Sequence, residues 1–366
     1  MTEAMMQSQE PVLAARWKNG AIWPDNHGVP INAHGGHIVH FGDLWYWYGE
    51  HKIEGWAGRL AWHGVHAYSS RDLRHWTDCG IVLPVVDDPR SPICRGCRIE
   101  RPKVIFCRKT GKFVMYFHST DENHTLARCG VAVADQPLGP FRFLYAERPE
   151  KGCWPLDTTP ADRDPAAIAA CPKEEELKSW HGDIIRRSNI LGRDLPNGQM
   201  SRDMTLFVDE DETAYHVYAS EHNSTIHISR LTSDYLNHDG TFVRAFRYRW
   251  MEAPVLFRHD NRYFLMMSGC TSWAPNAARG AYADNIFGPW TEFGNPCEGI
   301  NPDNGSGPEL TFGAQGACVF FHENRHIVML DIWKPDNFID SRYLWLPVKF
   351  QADGTFRLPY VESALS

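Results

Sequence analysis

The sequence contains five copies of one short pattern, and this repetition limits the folds that the chain can adopt. In the copy at Met251–Ser268, a carboxylate at position 252 precedes an apolar run, a polar turn at 259–261 and a second apolar and aromatic run. Two β-rich runs joined by such a turn predict a β-hairpin with one polar residue at the entry of its first strand. The five copies begin at the polar residues His34, Glu100, Asp203, Glu252 and Gln315.

Each of the first four hairpins is followed by two further predicted strands. Residues 64–70 and 76–83 follow the first hairpin, and residues 226–232 and 241–246 follow the third. Four strands per unit in five units predict an all-β fold, a five-bladed β-propeller rather than a sandwich. We expect residues 1–366 to form one such domain, with the chain ahead of His34 pairing with the last blade to close the ring.

One segment interrupts the repeat. Residues 146–200 separate the second unit from the third and include a helix-like stretch at 165–189. An insertion of this length with its own secondary structure is typical of a lid over a site or of a peripheral brace. The sequence predicts a partly helical insertion between blades two and three, and both roles remain open.

Charge and cysteine content exclude several classes of protein. The formal net charge is −8, which disfavours a nucleic-acid partner or an anionic membrane surface. Residues 1–17 carry acids where a secretory signal peptide has basic residues, so we expect a cytoplasmic protein. The ten cysteines have no regular spacing and are interpreted as small buried or loop residues, including the Cys94-x-x-Cys97 pair.

The five entry residues are the candidate functional residues. In a propeller the innermost strands surround a central channel, so these side chains are expected to face one pocket. The carboxylates among them repel one another and raise at least one pKa, as a general acid requires. With the 14 tryptophans available as flat surfaces, this arrangement suggests hydrolysis of glycosidic bonds. The alternative is that these side chains bind backbone at the strand entries or hold a structural cation.

A series of characteristic phrases runs along most of the chain: NAHGGHI (32–38), WYWYGEHK (45–52), GVHAYSS (64–70), ERPKVIF (100–106), SEHNSTIHI (220–228), EAPVLF (252–257), CTSWAPN (270–276), the Gln315 entry and RYLWLP (342–347). In their wording and order these phrases resemble glycoside hydrolase family 43, and especially its exo-β-1,3-galactanase branch. The resemblance implies a five-bladed propeller that inverts the anomeric centre. The insertion at 146–200 and the lack of an appended carbohydrate-binding module are departures from the branch.

The resemblance implies catalytic roles for four residues. Glu252 corresponds to the general acid, and Asp203 to the carboxylate that orients this acid and raises its pKa. The family's usual base, an aspartate in the first blade, is replaced here by His34. Glu100 and Gln315 match the glutamate and glutamine implicated in the galactanase branch. We favour Glu100 as the group that takes the proton, with Gln315 holding the water through its carbonyl or reacting as its imidic tautomer, and His34 as a third candidate.

The same phrases supply candidate substrate-binding residues. Trp273 is placed like a sugar-stacking platform, although a core position between blades is the alternative. Polar residues at corresponding hairpin ends are expected to bind sugar hydroxyls or to tie turns together. This substrate-binding set consists of His34, Glu50, His118, Glu221, Asn223 and Trp273.

The sequence thus predicts an inverting exo-glycosidase that releases galactose from β-1,3-linked galactosyl oligosaccharides. The alternatives are another family 43 specificity (α-L-arabinofuranosidase, β-xylosidase or β-galactofuranosidase) and a sugar-binding propeller without catalysis. We expect a carbohydrate substrate, no nucleic-acid or membrane partner, and no organic cofactor. A structural calcium is compatible with the family, but no ligand cluster assigns one. Linkage, chain-length preference and oligomeric state are not given by the sequence.

Overall fold

A computed structural model describes residues 17–178 and 180–365 of the chain. Residues 1–16, on which the expected lack of a signal peptide mainly rests, lie outside the described residues. None of the helices in the described part is long and apolar enough to span a bilayer.

Four sheets have four strands each, and within each sheet neighbours in the chain pair in antiparallel fashion. The first contains β1 (His34–Phe41), β2 (Leu44–Glu50), β3 (Gly64–Ser70) and β4 (Trp76–Pro84). The second contains β5 (Arg98–Cys107), β6 (Lys112–Thr120), β7 (Arg128–Ala134) and β8 (Arg142–Glu147). The third contains β9 (Met204–Val208), β10 (Ala214–Ser220), β11 (Thr225–Leu231) and β12 (His238–Ala245). The fourth contains β13 (Met251–His259), β14 (Arg262–Gly269), β15 (Arg279–Ala283) and β16 (Thr291–Gly294).

Two further sheets have three strands each. One consists of β18 (Gln315–His322), β19 (Arg325–Ile332) and β20 (Arg342–Pro347). The other is built from β17 (Cys297–Glu298), β21 (Lys349–Phe350) and β22 (Phe356–Pro359). In this sixth sheet β17 pairs in parallel with β22, which also contacts β20.

The prediction of a five-bladed propeller is therefore wrong, because the all-β propeller has six sheets. The sixth sheet was missed for a physical reason. Its strands are only two to four residues long, and Cys297 pairs with Leu358, which comes much later in the chain. Such short strands carry no alternation of polar and apolar residues that a sequence pattern can detect.

The innermost strands β1, β5, β9, β13 and β18 contact one another in turn, and β18 returns to β1. The chain ahead of β1 closes this ring, as predicted. The side-chain amide of Asn19 donates to the carbonyl of Trp345 at 2.8 Å, and the backbone N–H of Trp345 donates back to Asn19 at 2.7 Å. Trp23 packs edge-on against Trp345, with ring centroids 5.0 Å apart. The first segment and the last long strand are therefore held together by both hydrogen bonds and aromatic packing.

The apolar core lies between neighbouring sheets rather than on the axis. One cluster joins the first sheet to β18–β20, with Trp47 and Trp345 at its centre. Another joins the first and second sheets, and others lie between each following pair. Each strand alternates its side chains between the two faces of its sheet, so both neighbours of a sheet receive apolar contacts.

The insertion is partly helical, as predicted. It contains α1 (Pro165–Ala169), α2 (Gly182–Arg187) and α3 (Ile190–Asp194), with 3₁₀ turns at Ala161–Arg163 and Glu174–Glu176. Further 3₁₀ turns outside it lie at Trp56–Arg59, Pro308–Gly313 and Phe338–Asp340. Leu177, Ile185 and Ile190 form a small apolar cluster that fixes the insertion against the third sheet through Tyr248 and Trp250.

Candidate active site

The entry ends of the inner strands surround a pocket of about 620 Å³. A volume of this size is in the range of small-molecule binding sites, which is about 300–1,000 Å³. Eight of the ten residues singled out from the sequence line it: Glu50, Glu100, His118, Asp203, Asn223, Glu252, Trp273 and Gln315. Four of the five entry residues, Glu100, Asp203, Glu252 and Gln315, therefore converge on one pocket.

A local irregularity of the strands sets the direction of these side chains. Glu100 pairs with His118, and Glu252 pairs with Ser268, but in both strands the register then shifts at a β-bulge. The residue that follows each carboxylate has a positive φ, 55° at Arg101 and 52° at Ala253. A bulge re-aims the side chain beside it, so the entry residue leaves the regular alternation of the strand. The register also shifts near the entries of β1 and β18, but not between β9 and β10.

Glu252 is held as a protonated acid. Burial raises its pKa to about 8; the negative charge of Asp203 adds to this effect, while Arg101 opposes it. Its Oε1 accepts a hydrogen bond from the side-chain amide of Gln315 at 3.1 Å. The thiol of Cys270 is a further hydrogen-bond partner. At neutral pH this carboxyl therefore carries a proton that it can donate into the pocket.

The amide of Gln315 is saturated with hydrogen bonds. Its oxygen accepts from Arg101 Nη2 at 2.5 Å and from Trp333 Nε1 at 3.0 Å. Its nitrogen donates to Glu252 and, at 2.9 Å, to the hydroxyl of Ser268. The two donors on one side and the acceptors on the other fix the orientation of the amide. The carbonyl thus has no lone pair left for a water molecule, which disagrees with the expectation that it holds the nucleophile.

Arg101 connects the site, and the sequence analysis did not single it out. Its guanidinium binds Asp203 at 3.0 Å and the carbonyl of Gly316 at 2.9 Å, in addition to Gln315. Its backbone N–H donates to Glu50 at 3.0 Å. Arg101 therefore ties its own strand, β5, to Glu50 in the first sheet, to Asp203 ahead of β9 and to the start of β18. Its position directly after an entry carboxylate is visible in the sequence, but its partners in other strands are not.

Glu100 lies on a different side of the pocket and is held as a carboxylate. Its Oε1 accepts from Arg98 Nη1 at 3.0 Å, and its Oε2 accepts from His118 Nδ1 at 2.9 Å. Burial alone would raise its pKa, but His124, His118 and Arg98 outweigh this effect and hold the pKa well below the usual range. The pocket therefore combines one protonated and one ionised glutamate, Glu252 and Glu100.

Two residues of the predicted substrate-binding set, His34 and Glu221, lie outside the pocket lining. His34 is 1% exposed, its Nδ1 lies 3.1 Å from Asp331 and its Nε2 lies 3.3 Å from the Tyr343 hydroxyl. Glu221 is buried in a two-pronged ion pair with Arg244, with both distances at 2.7 Å. These contacts occupy both side chains in the protein interior. His34 is therefore also unsuitable as the base that replaces the family's aspartate.

The remaining predicted binding residues have mixed partners. Glu50 faces the pocket but is bound by Lys52 Nζ at 2.5 Å. Asn223 lines the pocket, and its side-chain oxygen has no hydrogen-bond partner within the described residues. Trp273 is half-buried at the pocket wall, with the guanidinium of Arg98 5.9 Å from its ring centre. Asn223 and Trp273 are thus the better placed of these to contact a sugar.

One part of the insertion forms a wall of the pocket. Glu174, Glu175, Leu177, Lys178 and Trp180 contribute to the lining. The indole of Trp180 is 76% exposed. Another part of the insertion braces the third sheet, because Asp162 accepts a hydrogen bond of 3.0 Å from Arg244 in β12. The helix-like composition indicated an insertion, but not which of its residues face the site.

Comparisons with known proteins agree with this geometry. The model of the glycosyl hydrolases family 43 matches residues 180–308. The solved structure of a family 43 β-1,3-galactosidase with galactodeoxynojirimycin is 39% identical, with a TM-score of 0.85, and the match covers 94% of this chain and 99% of that chain. An exo-β-1,3-galactanase from Phanerochaete chrysosporium, solved with galactose, is 29% identical, with a TM-score of 0.72 and coverage of 93% and 66%.

A curated relative from Bacteroides ovatus carries a different description, xylosidase/arabinosidase. It is 28% identical over 243 residues, which are 62% of this chain and 64% of that protein. The chain therefore spans less than two thirds of this relative's length. The identity and coverage of the β-1,3-galactosidase structure confirm the resemblance to the family and to its galactanase branch. This chain belongs to glycoside hydrolase family 43.

Proposed function

We propose that the chain is an inverting exo-glycoside hydrolase that releases galactose from β-1,3-linked galactosyl oligosaccharides. The observation that carries the proposal is the state of Glu252. It is a protonated carboxyl, with a pKa of about 8, in a pocket that also contains the carboxylates of Asp203 and Glu100. The choice of sugar is supported by the solved relatives, which are described as a β-1,3-galactosidase and an exo-β-1,3-galactanase.

In the proposed reaction Glu252 donates its proton to the glycosidic oxygen while the bond from that oxygen to the anomeric carbon breaks. A water molecule attacks the anomeric carbon from the opposite face, and its proton passes to Glu100. Asp203, fixed by Arg101, keeps the proton on Glu252 before the reaction through its negative charge. Inversion follows because one displacement occurs, without a covalent glycosyl intermediate.

Gln315 acts in this proposal by positioning the acid. Its amide nitrogen orients the Glu252 carboxyl, and its oxygen is held by Arg101 and Trp333. A neutral amide can orient the carboxyl without the stabilisation of the anion that a cation would provide. The water is therefore assigned to the Glu100 side of the pocket.

Product analysis by ¹H NMR tests the proposal. The enzyme is incubated with β-1,3-galactobiose and β-1,3-galactotriose, and the anomeric signal of newly released galactose is followed from the first minutes. We expect α-galactose to appear first and to mutarotate later to the β form. Early β-galactose contradicts inversion, and the absence of galactose release from both substrates contradicts the proposed function.

A second specificity is favoured by the description of the Bacteroides ovatus relative as a xylosidase/arabinosidase. The ratio of kcat/KM values separates the two candidates, measured with p-nitrophenyl β-D-galactoside, β-D-xyloside and α-L-arabinofuranoside. Galactosidase specificity predicts the largest value for the galactoside. A larger value for either pentoside favours the second candidate.

A further inference from the structure

Glu100, His118 and His124 form a compact cluster at the wall of the pocket. Each offers one ligand atom, and these atoms lie within 4.8 Å of one another. Glu100 and His118 are directly opposed across β5 and β6, whereas His124 follows in the turn after β6. The two imidazole rings are nearly parallel, with centroids 5.8 Å apart and an interplanar angle of 24°. The backbone therefore brings three metal-binding side chains to one point.

The types of side chain match a transition metal better than calcium or magnesium. Imidazole nitrogen and carboxylate oxygen are typical ligands of Zn²⁺, whereas Ca²⁺ and Mg²⁺ require mainly oxygen ligands. Around a tetrahedral Zn²⁺ with bonds of about 2.0–2.1 Å, ligand atoms lie roughly 3.3 Å apart. The ligand atoms of the cluster are up to 4.8 Å apart, so a side chain has to rotate to bring them to this spacing. The distance of 2.9 Å between His118 Nδ1 and Glu100 Oε2 is already short enough.

Two further features of these side chains bear on metal binding. Of the two ring nitrogens of His118, Nδ1 contacts Glu100, while Nε2 is buried and has no hydrogen-bond partner. His118 itself is 1% exposed, so water offers little compensation for this unpaired atom. Arg98 occupies Oε1 of Glu100, which leaves Oε2 for a single bond to the metal.

We propose that Glu100, His118 and His124 form a Zn²⁺ site with three protein ligands and a fourth position open to the pocket. Binding replaces the hydrogen bond between His118 and Glu100 with two bonds to the metal, one from Oε2 of Glu100 and one from Nδ1 of His118, whose proton moves to Nε2. It also occupies the lone pair with which Glu100 accepts a proton in the proposed reaction. Zn²⁺ is therefore an inhibitor that competes with substrate; this second part rests on the proposed function, whereas the binding itself does not.

Metal binding is tested without any substrate. The full-length protein is treated with a chelator and dialysed against Zn²⁺, and bound metal is measured for wild type, His124→Gln and the matched control His75→Gln. His75 is an exposed histidine outside the pocket that is paired with Asp72. We expect the dissociation constant of the most tightly bound zinc to rise at least about tenfold in His124→Gln, because a ligand is lost. In His75→Gln it should match that of wild type. Equal binding by all three proteins overturns the proposal.

Cobalt distinguishes this site from the cysteines, of which ten are free. Cys270 also lines the pocket, but burial raises the pKa of its thiol, which disfavours the thiolate that binds metal. Co²⁺ in the wild-type site should show no thiolate-to-cobalt charge-transfer band. His124→Cys keeps three ligands and should bind Co²⁺ with a new band of this kind. A thiolate band in the wild-type protein, or no new band in His124→Cys, overturns the assignment.

Inhibition is measured separately on β-1,3-galactobiose. Zn²⁺ should raise KM more than it lowers kcat in wild type, with at least about tenfold less effect on His124→Gln. Stimulation by Zn²⁺ refutes the inhibitory role, since it would mean that the metal activates water. If the protein releases no galactose, the proposed function fails, while the dialysis and cobalt experiments still decide whether the metal site exists.

Discussion

The side-chain nitrogen of Gln315 lies 3.1 Å from Oε1 of Glu252. A neutral donor therefore orients this carboxyl, while the nearby guanidinium of Arg101 is engaged with Asp203. Had a lysine or arginine stood at position 315, its charge would have favoured the ionised acid and lowered its pKa. The choice of an amide is consistent with an acid that must remain protonated at neutral pH.

Replacement of Glu252 by Gln should lower kcat on β-1,3-galactobiose by about 10²–10⁴-fold, the usual contribution of a general acid. The loss should be much smaller on a 2,4-dinitrophenyl galactoside, whose leaving group needs little protonation. Glu323→Gln, in an exposed turn, serves as the control and should behave as wild type. Equal losses on both substrates would show that Glu252 does not protonate the leaving group.

The pH dependence of kcat/KM should have a basic limb near the pKa of Glu252, about 8. Activity requires the protonated acid, so it is retained below this pH and lost above it. The acidic limb should lie well below neutral pH, since the pKa of Glu100 is held low. Initial rates at low substrate concentration across the pH range measure both limbs. A basic limb that persists unchanged in Glu252→Gln, assayed on the activated substrate, would assign it to another group.

Gln315→Glu separates positioning from tautomer chemistry. The new carboxylate keeps acceptors for Arg101 and Trp333 but places a negative charge beside Glu252. The pKa of Glu252 should rise, so the basic limb should move to higher pH while partial activity remains. Near-complete loss at every pH, with an unchanged melting temperature, would favour a reaction through the imidic tautomer.

Arg101→Lys should lower kcat/KM by about 10²-fold, because lysine keeps the charge but cannot bind Asp203, Gln315 and Gly316 together. The exposed bidentate pair of Arg249 with Glu292 offers a matched control, Arg249→Lys. Steady-state kinetics and thermal unfolding distinguish a displaced site from an unfolded protein. Full activity in Arg101→Lys would mean that the charge alone matters.

Glu150→Gln should change stability rather than catalysis. Burial raises the pKa of Glu150 to about 7 from the ordinary 4.5, with the Ser229 hydroxyl offsetting part of the effect. Folded protein thus binds this proton more tightly than unfolded protein, and stability falls as pH rises through this window. Between pH 5 and 8, the free energy of unfolding should fall less in the variant than in wild type, and the difference should be about 3 kcal/mol at most. Urea denaturation at both pH values measures this, and an identical loss in both proteins contradicts the assignment.

The sequence was sufficient for features that depend on local repetition. The hairpins and their polar entry residues recur in five of the six sheets, and this repetition predicts that Glu100, Glu252 and Gln315 share one pocket. The direction of each side chain is harder to predict from the sequence, because it depends on a bulge and on partners far along the chain. His34 shows this limit: it stands at an entry, yet Asp331, 297 positions later, holds it in the interior.

Residues that act through long-range contacts were missed for the same reason. Arg101 contributes to the site because it binds groups from other sheets. Trp180 lines the pocket because the insertion folds back towards it. Neither property has a signature in the neighbouring residues. The sixth sheet belongs to this class too, since its very short strands pair across a long interval of sequence.

The hydrogen bonds between Asn19 and Trp345 have a consequence for folding. These residues are 326 positions apart, and closing so long a loop is opposed by chain entropy, which slows the formation of such contacts. During synthesis Trp23 lacks its packing partner Trp345 until β20 has been made. Incomplete chains therefore expose aromatic surface to which chaperones or other nascent chains can bind. The docking of the last long strand, β20, covers this aromatic surface and protects the native state from aggregation.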